Sequence, residues 1–324
     1  MYSSKIDIPV LILFFNRPLQ LKLVFEQVKI ARPSKLYLFQ DGAREGRQDD
    51  IENVKKCREI VEDIDWECEV HRNYQEKNNG CDPSEYLAQK WMFATEEYGI
   101  VLEDDDVPSQ SFFPYCKELL EKYKDDQRIN MICGMNNLGD YSDKCPYDYF
   151  FSTTGSIWGW ASWKRVIDEW SDYSPFVDNE YGVELFTNLY KNKMDTKGYI
   201  NLCRERNKSG IAYYESIMST YAKTQGRINI VPTKNMISNM GFMGESTHGP
   251  SSLDILPKST RKLFNMKTYE IDFPIKHPPY VMEDVRYVNS LYNPSKFKRK
   301  TKVFFAKMEY LFRKSMHKLF KGKK

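Results

Sequence analysis

The chain of 324 residues contains no stretch approaching about 20 apolar residues, so nothing in it is patterned to cross a bilayer. No secretory leader is expected either. Residues 1–5 are polar, and the apolar run over 8–15 is short and interrupted by Pro9. There is no C-x-x-C pair. The seven cysteines (57, 68, 81, 116, 133, 145 and 203) are odd in number, which favours reduced thiols in a cytosol over a disulfide framework or a zinc site. Cys116 and Cys133 sit among apolar neighbours and read as small core residues. No G-x-G-x-x-G follows the first predicted strand, which disfavours a dinucleotide-binding oxidoreductase, and no Walker loop is present. No internal repeat occurs. What remains is 41% hydrophobic and 15% aromatic, enough for a substantial core and too much for a disordered chain.

Charge is abundant but unevenly placed. Residues 296–324 hold twelve Lys or Arg against one acid, Glu309, while the whole chain carries only +3. A mildly acidic globule therefore ends in a strongly basic tail. Phe304, Met308, Leu311, Phe312, Leu319 and Phe320 recur there at mostly three- and four-residue spacing. A basic amphipathic helix with aromatic anchors suits an anionic membrane surface. A terminal helix docked on its own domain gives the same pattern. No nucleic-acid motif accompanies the tail, so no nucleic-acid partner is expected.

The first 135 residues alternate strand and helix patterns. Strands are expected over 8–15, 35–39, 66–72, 100–102 and 129–133. Helices are expected over 18–28, 50–61, 84–98 and 112–123, with turns at Gln40-Asp41-Gly42 and Asn78-Asn79-Gly80. Strands separated by helices of 10–15 residues imply βαβ units and a mostly parallel, Rossmann-like sheet.

The densest signal is Ile100-Val101-Leu102-Glu103-Asp104-Asp105-Asp106. Carboxylates this close repel one another unless a cation neutralises them. The carboxyl end of a strand in an open α/β sheet is also where ligands bind. Mg²⁺ or Mn²⁺ carrying a diphosphate would account for both, since such hard ions take oxygen from one or two carboxylates plus phosphates. A solvated acidic turn is the plainer alternative. Downstream, Trp158-Gly159-Trp160-Ala161-Ser162-Trp163 alternates flat indoles with glycine, which suits a sugar ring. Core packing is expected for at least one of these tryptophans.

The order of these motifs resembles the GT-A-fold glycosyltransferases related to N-acetylglucosaminyltransferase I, and bacterial family 2-like sugar-nucleotide transferases. The resemblance runs over residues 8–248. It rests on Pro9 through Pro18, Gln40-Asp41-Gly42, Asn79-Gly80-Cys81, Leu102-Glu103-Asp104-Asp105, Ser111-Phe112-Phe113, Trp158-Gly159-Trp160-Ala161, the segment from Asn235 to Phe242, and Thr247-His248. It implies a GT-A domain over 1–250, with a nucleotide-binding half to about 135 and an acceptor half beyond. A Pro-containing strap over 251–295 and the amphipathic tail over 296–324 complete the chain.

The resemblance also implies roles. Asp105 is expected to touch Mn²⁺ or Mg²⁺, with His248 completing the metal site. Asp104 is expected on the ribose side, Glu103 on the donor sugar, and Asp106 behind the triplet or facing solvent. Arg17 is expected near the diphosphate, Asp41 on the uracil N3–H, and Asn79 and Gly80 in a loop close to the nucleotide. Glu215 takes the position of the base, where relatives carry Asp, with Tyr214 in place of a tryptophan. Asp178, Glu180 and Glu184 are the alternatives. Trp158, Gly159, Trp160 and Tyr214 are expected to line the sugar and acceptor pocket.

The implied reaction is inverting transfer from a UDP-sugar to a hydroxyl of a glycan, lipid-linked at the cytoplasmic membrane face. Two alternatives stand beside it. A metal-dependent nucleotidyltransferase would need a Gly-rich, Lys/Arg-bearing loop after the first strand, and Asn16-Arg17-Pro18 is not one. A membrane-docked glycan-binding protein without turnover is the other.

Overall fold

The computed structural model describes residues 2–189, 193–242, 256, 258–292 and 308. Its first half runs β1 (Ile6–Phe14), α1 (Pro18–Ala31), β2 (Pro33–Gln40), α2 (Gln48–Val61), β3 (Glu69–Tyr74), α3 (Cys81–Thr95), β4 (Tyr98–Glu103), β5 (Asp106–Pro108), α4 (Phe112–Lys122) and β6 (Ile129–Cys133). There follow β7 (Tyr149–Ser152), β8 (Trp160–Trp163), α5 (Lys164–Ile167), a 3₁₀ turn (Pro175–Asp178), α6 (Glu180–Leu189), α7 (Lys193–Ser209), α8 (Tyr214–Thr224), β9 (Ile228–Pro232), β10 (Ile237–Asn239), α9 (Lys258–Arg261) and α10 (Val285–Tyr292).

Eight strands form one mostly parallel sheet in the order β3-β2-β1-β4-β8-β6-β9-β7, flanked by helices. Strands β1, β2, β3 and β4 pair in parallel, as do β6 and β9. Strand β8 is antiparallel to both β4 and β6, and β7 is antiparallel to β9. A separate two-stranded ribbon pairs β5 with β10, aligning Asp106 with Asn239. The order 3-2-1-4 places the reversal of strand progression between β1 and β4. Ligands of doubly wound sheets bind at the carboxyl end of such a pair.

Local chemistry explains the elements that hold this edge. In β1, Val10, Leu11 and Ile12 are completely buried, as a central parallel strand covered on both faces requires. Pro18 starts α1 at a position where its missing N–H costs nothing. Leu21, Val24, Phe25 and Val28 then bury one stripe. Only Phe15, Asn16 and Arg17 separate β1 from α1, so the arginine is delivered directly from the strand end.

Several boundaries differ from expectation. The helix expected over 84–98 is α3, which begins at Cys81 and ends at Thr95. Tyr98 belongs instead to β4, where it pairs with Trp163. The strand expected over 66–72 is β3, displaced to Glu69–Tyr74. Trp66 is buried, and its indole donates to the carbonyl of Pro33 at 2.8 Å.

The Pro-containing strap is tied to the domain along the described residues 258–284. Glu270 accepts from the backbone N–H of Gln110 at 3.0 Å and of Ser111 at 2.6 Å, at the start of α4. The backbone N–H of Lys276 donates to Asp148 at 2.7 Å. Later in the same segment, Tyr287 of α10 is buried against Tyr141 and Phe150. No helix among the described residues is long and apolar enough to cross a membrane. The tail over 296–324 lies outside the described residues, apart from Met308.

Candidate nucleotide-sugar site

Strand β4 ends in Glu103, and Asp104 and Asp105 turn the chain into β5. Arg17 reaches across from the end of β1 and grips both aspartates. One guanidinium nitrogen donates to Asp105 Oδ2 at 2.8 Å, and the other pairs with Asp104 Oδ1. Asp104 Oδ2 accepts from the backbone N–H of Phe15 at 3.2 Å. Asn239 donates to Asp105 Oδ1 at 3.0 Å and to Asp106 Oδ1 at 3.1 Å. All four oxygens of Asp104 and Asp105 therefore have donors. Burial works against the Arg17 charge, but attraction by Asp104, Asp105 and Glu103 outweighs it and holds the guanidinium protonated.

Asp106 does not face solvent. It is fully buried, and Oδ2 accepts from the backbone N–H of Gly159 at 2.8 Å. Burial, reinforced by Asp105, raises its carboxyl well above the usual range, against the pull of Asn239 and Gly159. Glu103 is only half-buried at its surface but lies among Glu85, Asp106 and Asp105. Desolvation and those neighbours push it up too, with Arg17 opposing.

Asp41 follows β2 and organises the facing loop. Its Oδ1 accepts from the backbone N–H of Gly42 at 3.0 Å and of Asn79 at 2.9 Å. Its Oδ2 accepts from Asn78 Nδ2 at 2.8 Å and from the Gly80 N–H at 3.1 Å. A carboxylate offers about four lone-pair sites, and these donors fill them. Asp41 is thus the anchor of the Asn79-Gly80 loop, with no acceptor left over for a base edge. Asn79 and Gly80 stand at the mouth of the same sheet edge, immediately before α3.

Glu215 lies exposed in the first turn of α8, which packs against α3. It is one of the acids acting on Glu85, whose carboxyl burial pushes up to about 8, with Asp82, Glu215 and Asp105 adding. Cys81 Sγ donates to Glu85 at 3.1 Å. Tyr214 is completely buried, and its hydroxyl has no hydrogen-bond partner among the described residues. The charged groups that weigh most on that hydroxyl are Glu103, Glu85, Glu215 and Asp106. The start of α8 therefore lies within electrostatic reach of the acids at the end of β4. Arg206 fixes it from behind by donating to Ser216 Oγ at 2.6 Å. Asp178, Glu180 and Glu184 are exposed residues of the 3₁₀ turn and α6.

The tryptophan segment is mostly structural. Trp160 is a core residue of β8, 1% exposed, with its ring 6.2 Å from Trp170. It is not a pocket wall, because β8 is inserted between β4 and β6. Gly159 is buried as well, and it serves Asp106 rather than a sugar. Tyr214 is likewise buried under the cleft rather than lining its surface. Trp158 alone is half-buried, 5.0 Å from the Phe264 ring, which in turn meets Phe242. His248 lies outside the described residues.

Asn239, Gly241 and Glu85 were not foreseen. Asn239 and Gly241 fall within the motif segment from Asn235 to Phe242, where an Asn-x-Gly pair after a short β-rich run is the available signal. A Cβ on Gly241 would stand 2.6 Å from Asp105 Oδ2, so glycine keeps that oxygen clear. Glu85 carries no local signal, being one acid on an ordinary helix pattern.

The donor set suits a hard divalent ion. Asp105 Oδ2 lies beside a bare glycine Cα and already carries a cationic partner. Among the described residues no three His, Cys, Asp or Glu side chains converge to hold a metal alone. An ion here would rest on Asp105 and on ligand oxygens, the usual manner of Mg²⁺. A depression of about 560 Å³ bordered by Tyr123, Arg128, Pro279 and Tyr280 lies near the start of β6, at the other end of the sheet.

No family model and no curated protein matches the chain. Among solved structures, the chain is similar to UDP-glucose pyrophosphorylase complexed with UDP-glucose. That match has a TM-score of 0.33 and 9% identity, over 72% of this chain and 93% of that one. It is also similar to 4-diphosphocytidyl-2C-methyl-D-erythritol synthase from Anaerococcus prevotii, with a TM-score of 0.32 and 12% identity, over 60% of this chain and 84% of that one. Similarity at this level carries no functional weight.

Proposed function

We propose that the chain is a metal-dependent glycosyltransferase that moves a sugar from a UDP-sugar to a glycan hydroxyl with inversion. One observation carries the reading. Asp104, Asp105, Arg17 and the loop anchored by Asp41 converge at the carboxyl end of β1, β2 and β4, on the β1/β4 reversal, with Glu215 within electrostatic reach of Glu85 beside them.

The residues divide the work. The backbone around Asn79 and Gly80 offers close approach to the nucleoside. Glu103 and Asp104 present acceptors to donor hydroxyls. Asp105 would hold Mn²⁺ or Mg²⁺, which when bound neutralises the leaving diphosphate. Arg17 supplies a guanidinium fork matched to phosphate oxygens. Glu215 takes the proton from the acceptor hydroxyl as the new bond to the anomeric carbon forms and the bond to the diphosphate oxygen breaks. Trp158 offers an aromatic face at the rim for the acceptor. A lipid-linked acceptor at the cytoplasmic membrane face would be served by the basic tail.

Thermal stabilisation by UDP and UDP-sugars with and without Mn²⁺ tests the reading. A ligand at 100 times its Kd adds about 2.7 kcal/mol to stability. We expect metal-dependent stabilisation by UDP in the native protein and its loss in Asp105→Ala, with the fold retained. Unchanged UDP affinity of Asp105→Ala in Mn²⁺ sinks the assignment of Asp105. A nucleotidyltransferase would instead release pyrophosphate from UTP and a sugar 1-phosphate. The three-residue connection Phe15-Asn16-Arg17 gives no loop to cradle a triphosphate, so no release is expected.

A further inference from the structure

The Arg17 guanidinium occupies the position that a cation at Asp105 needs. It bridges Asp105 Oδ2 at 2.8 Å and Asp104 Oδ1, and the remaining oxygens of the two carboxylates are held by Asn239 and by the Phe15 N–H. Each of the four oxygens thus already has a donor, so an incoming ion must share or displace one of them. The side chain is 17% exposed, so the fork is mostly covered but still reachable from solvent. It also springs from the residue just before α1, where a change of side-chain torsion needs no change in β1 or α1.

We infer that Arg17 is an internal counter-ion that must trade carboxylates for the donor diphosphate before a metal can settle on Asp105, so that metal and nucleotide bind as one cooperative event. The inference rests on the nucleotide-sugar reading of the same site. The physical argument is one of charge conservation. With Arg17 on the acids, the cleft is partly neutral and an ion gains little by displacing it, because the freed guanidinium would be left partly desolvated and unpaired. With a diphosphate present, the guanidinium finds a second bidentate partner, and the ion takes the released Asp105 oxygen. Neither ligand is favoured alone. Gly241 suits this exchange, since any side chain there would crowd Asp105 Oδ2.

The test is direct binding of Mn²⁺ to the full chain, read from the loss of the free-ion electron paramagnetic resonance signal, with and without UDP. In the native protein we expect weak Mn²⁺ binding alone and binding tightened at least about tenfold by UDP, within the usual range of coupling between sites. In Arg17→Gln, Mn²⁺ alone should bind more tightly than to the native protein, and the tightening by UDP should shrink. Reciprocity requires the factor by which Mn²⁺ tightens UDP to shrink equally. Arg17→Lys is the second variant, should the first not fold. A single ammonium cannot bridge both carboxylates in the same fork, so its metal affinity without UDP should also exceed the native value. If Mn²⁺ alone binds a folded Arg17 variant no more tightly than the native protein, the counter-ion role is overturned. If UDP binds neither protein in any metal, the nucleotide-sugar reading falls, and the exchange onto phosphate falls with it. The comparison of Mn²⁺ alone then still reports on the lock.

Discussion

A methyl group on Gly159 would stand 2.4 Å from Ile237 Cδ1 and 2.7 Å from Cγ1, and the residue already sits at φ +59°. Both facts bear on the acids, because the Gly159 N–H holds Asp106 at 2.8 Å. Gly159→Ala should therefore destabilise the fold by about 1–3 kcal/mol through strain and overpacking. Denaturant unfolding measures this, and an unchanged midpoint would contradict it. Glu215 is a different case, an exposed residue in the first turn of α8. Glu215→Gln keeps the shape but cannot take a proton, so turnover should fall roughly 10²–10⁴-fold while donor binding stays near native. Near-native turnover would move the base to another acid. These two residues mark how far single positions were legible. The run Glu103 to Asp106 announced itself because four adjacent acids are rare after a buried strand. The alternation of indole and glycine at Trp158-Gly159-Trp160 suits a sugar and a core equally, and only the partners across the sheet decide between them. The resemblance assigns Asp41 to the uracil edge and its local sequence marks a turn, but its five hydrogen-bond donors come from residues 42, 78, 79 and 80, and no local pattern shows such saturation.

Strands β1, β2, β4 and β6 were readable because each is a short apolar run between helix patterns, and a parallel strand buried on both faces needs little else. Strand β8 was not. Its four residues lie antiparallel between β4 and β6, and that pairing spans some thirty to sixty positions of chain. Ribbon β5–β10 is equally non-local, although it brings Asn239 to the acids. The strap contributes one more distant contact of this kind. Glu270 places its carboxylate on the free N–H groups at the start of α4, where a negative charge also suits the helix dipole. Glu270→Ala should cost about 0.5–2 kcal/mol, the usual scale for a lost cap. A melting temperature equal to native would show the strap to be held elsewhere. For the basic tail the expectation concerns activity rather than the fold. Truncation after Pro294 should leave hydrolysis of a UDP-sugar unchanged and weaken transfer to an acceptor embedded in anionic liposomes, by up to about 1 kcal/mol per Lys or Arg near the surface. Failure of the full chain to co-sediment with such liposomes at low salt would remove the membrane role.

The acids of the cleft also set how stability responds to pH. Burial and mutual repulsion raise Glu85 to about 8, and they raise Glu103, Asp105 and Asp106 as well. A carboxyl raised in the folded state keeps a proton that the unfolded chain has released. Stability then falls as pH climbs from the ordinary carboxylate range, near 4.5, towards about 8. Other acids act below that window. Asp50 beside Arg44, Glu62 beside Arg72 and Asp284 beside Arg286 are lowered by their arginine partners, and their contribution is lost only as pH drops through the acid range. His277, lowered by burial and by Lys122, gains stability as pH rises, but it is one partly exposed group against four in the cleft. The ligand-free protein should therefore melt at a higher temperature near about pH 5.5 than near about pH 8. Mn²⁺ with UDP should narrow the gap, because the bound cation favours the ionised acids. Glu85→Gln removes one of the four contributors without a charge to repel. It should raise the melting temperature at the alkaline end and leave the acid end nearly unchanged. Differential scanning calorimetry across the range reads all three effects. A ligand-free protein that is more stable at about pH 8 than at about pH 5.5 would mean that the cleft carboxylates are ionised at neutral pH, and that the acid cluster is already balanced by protein cations other than Arg17.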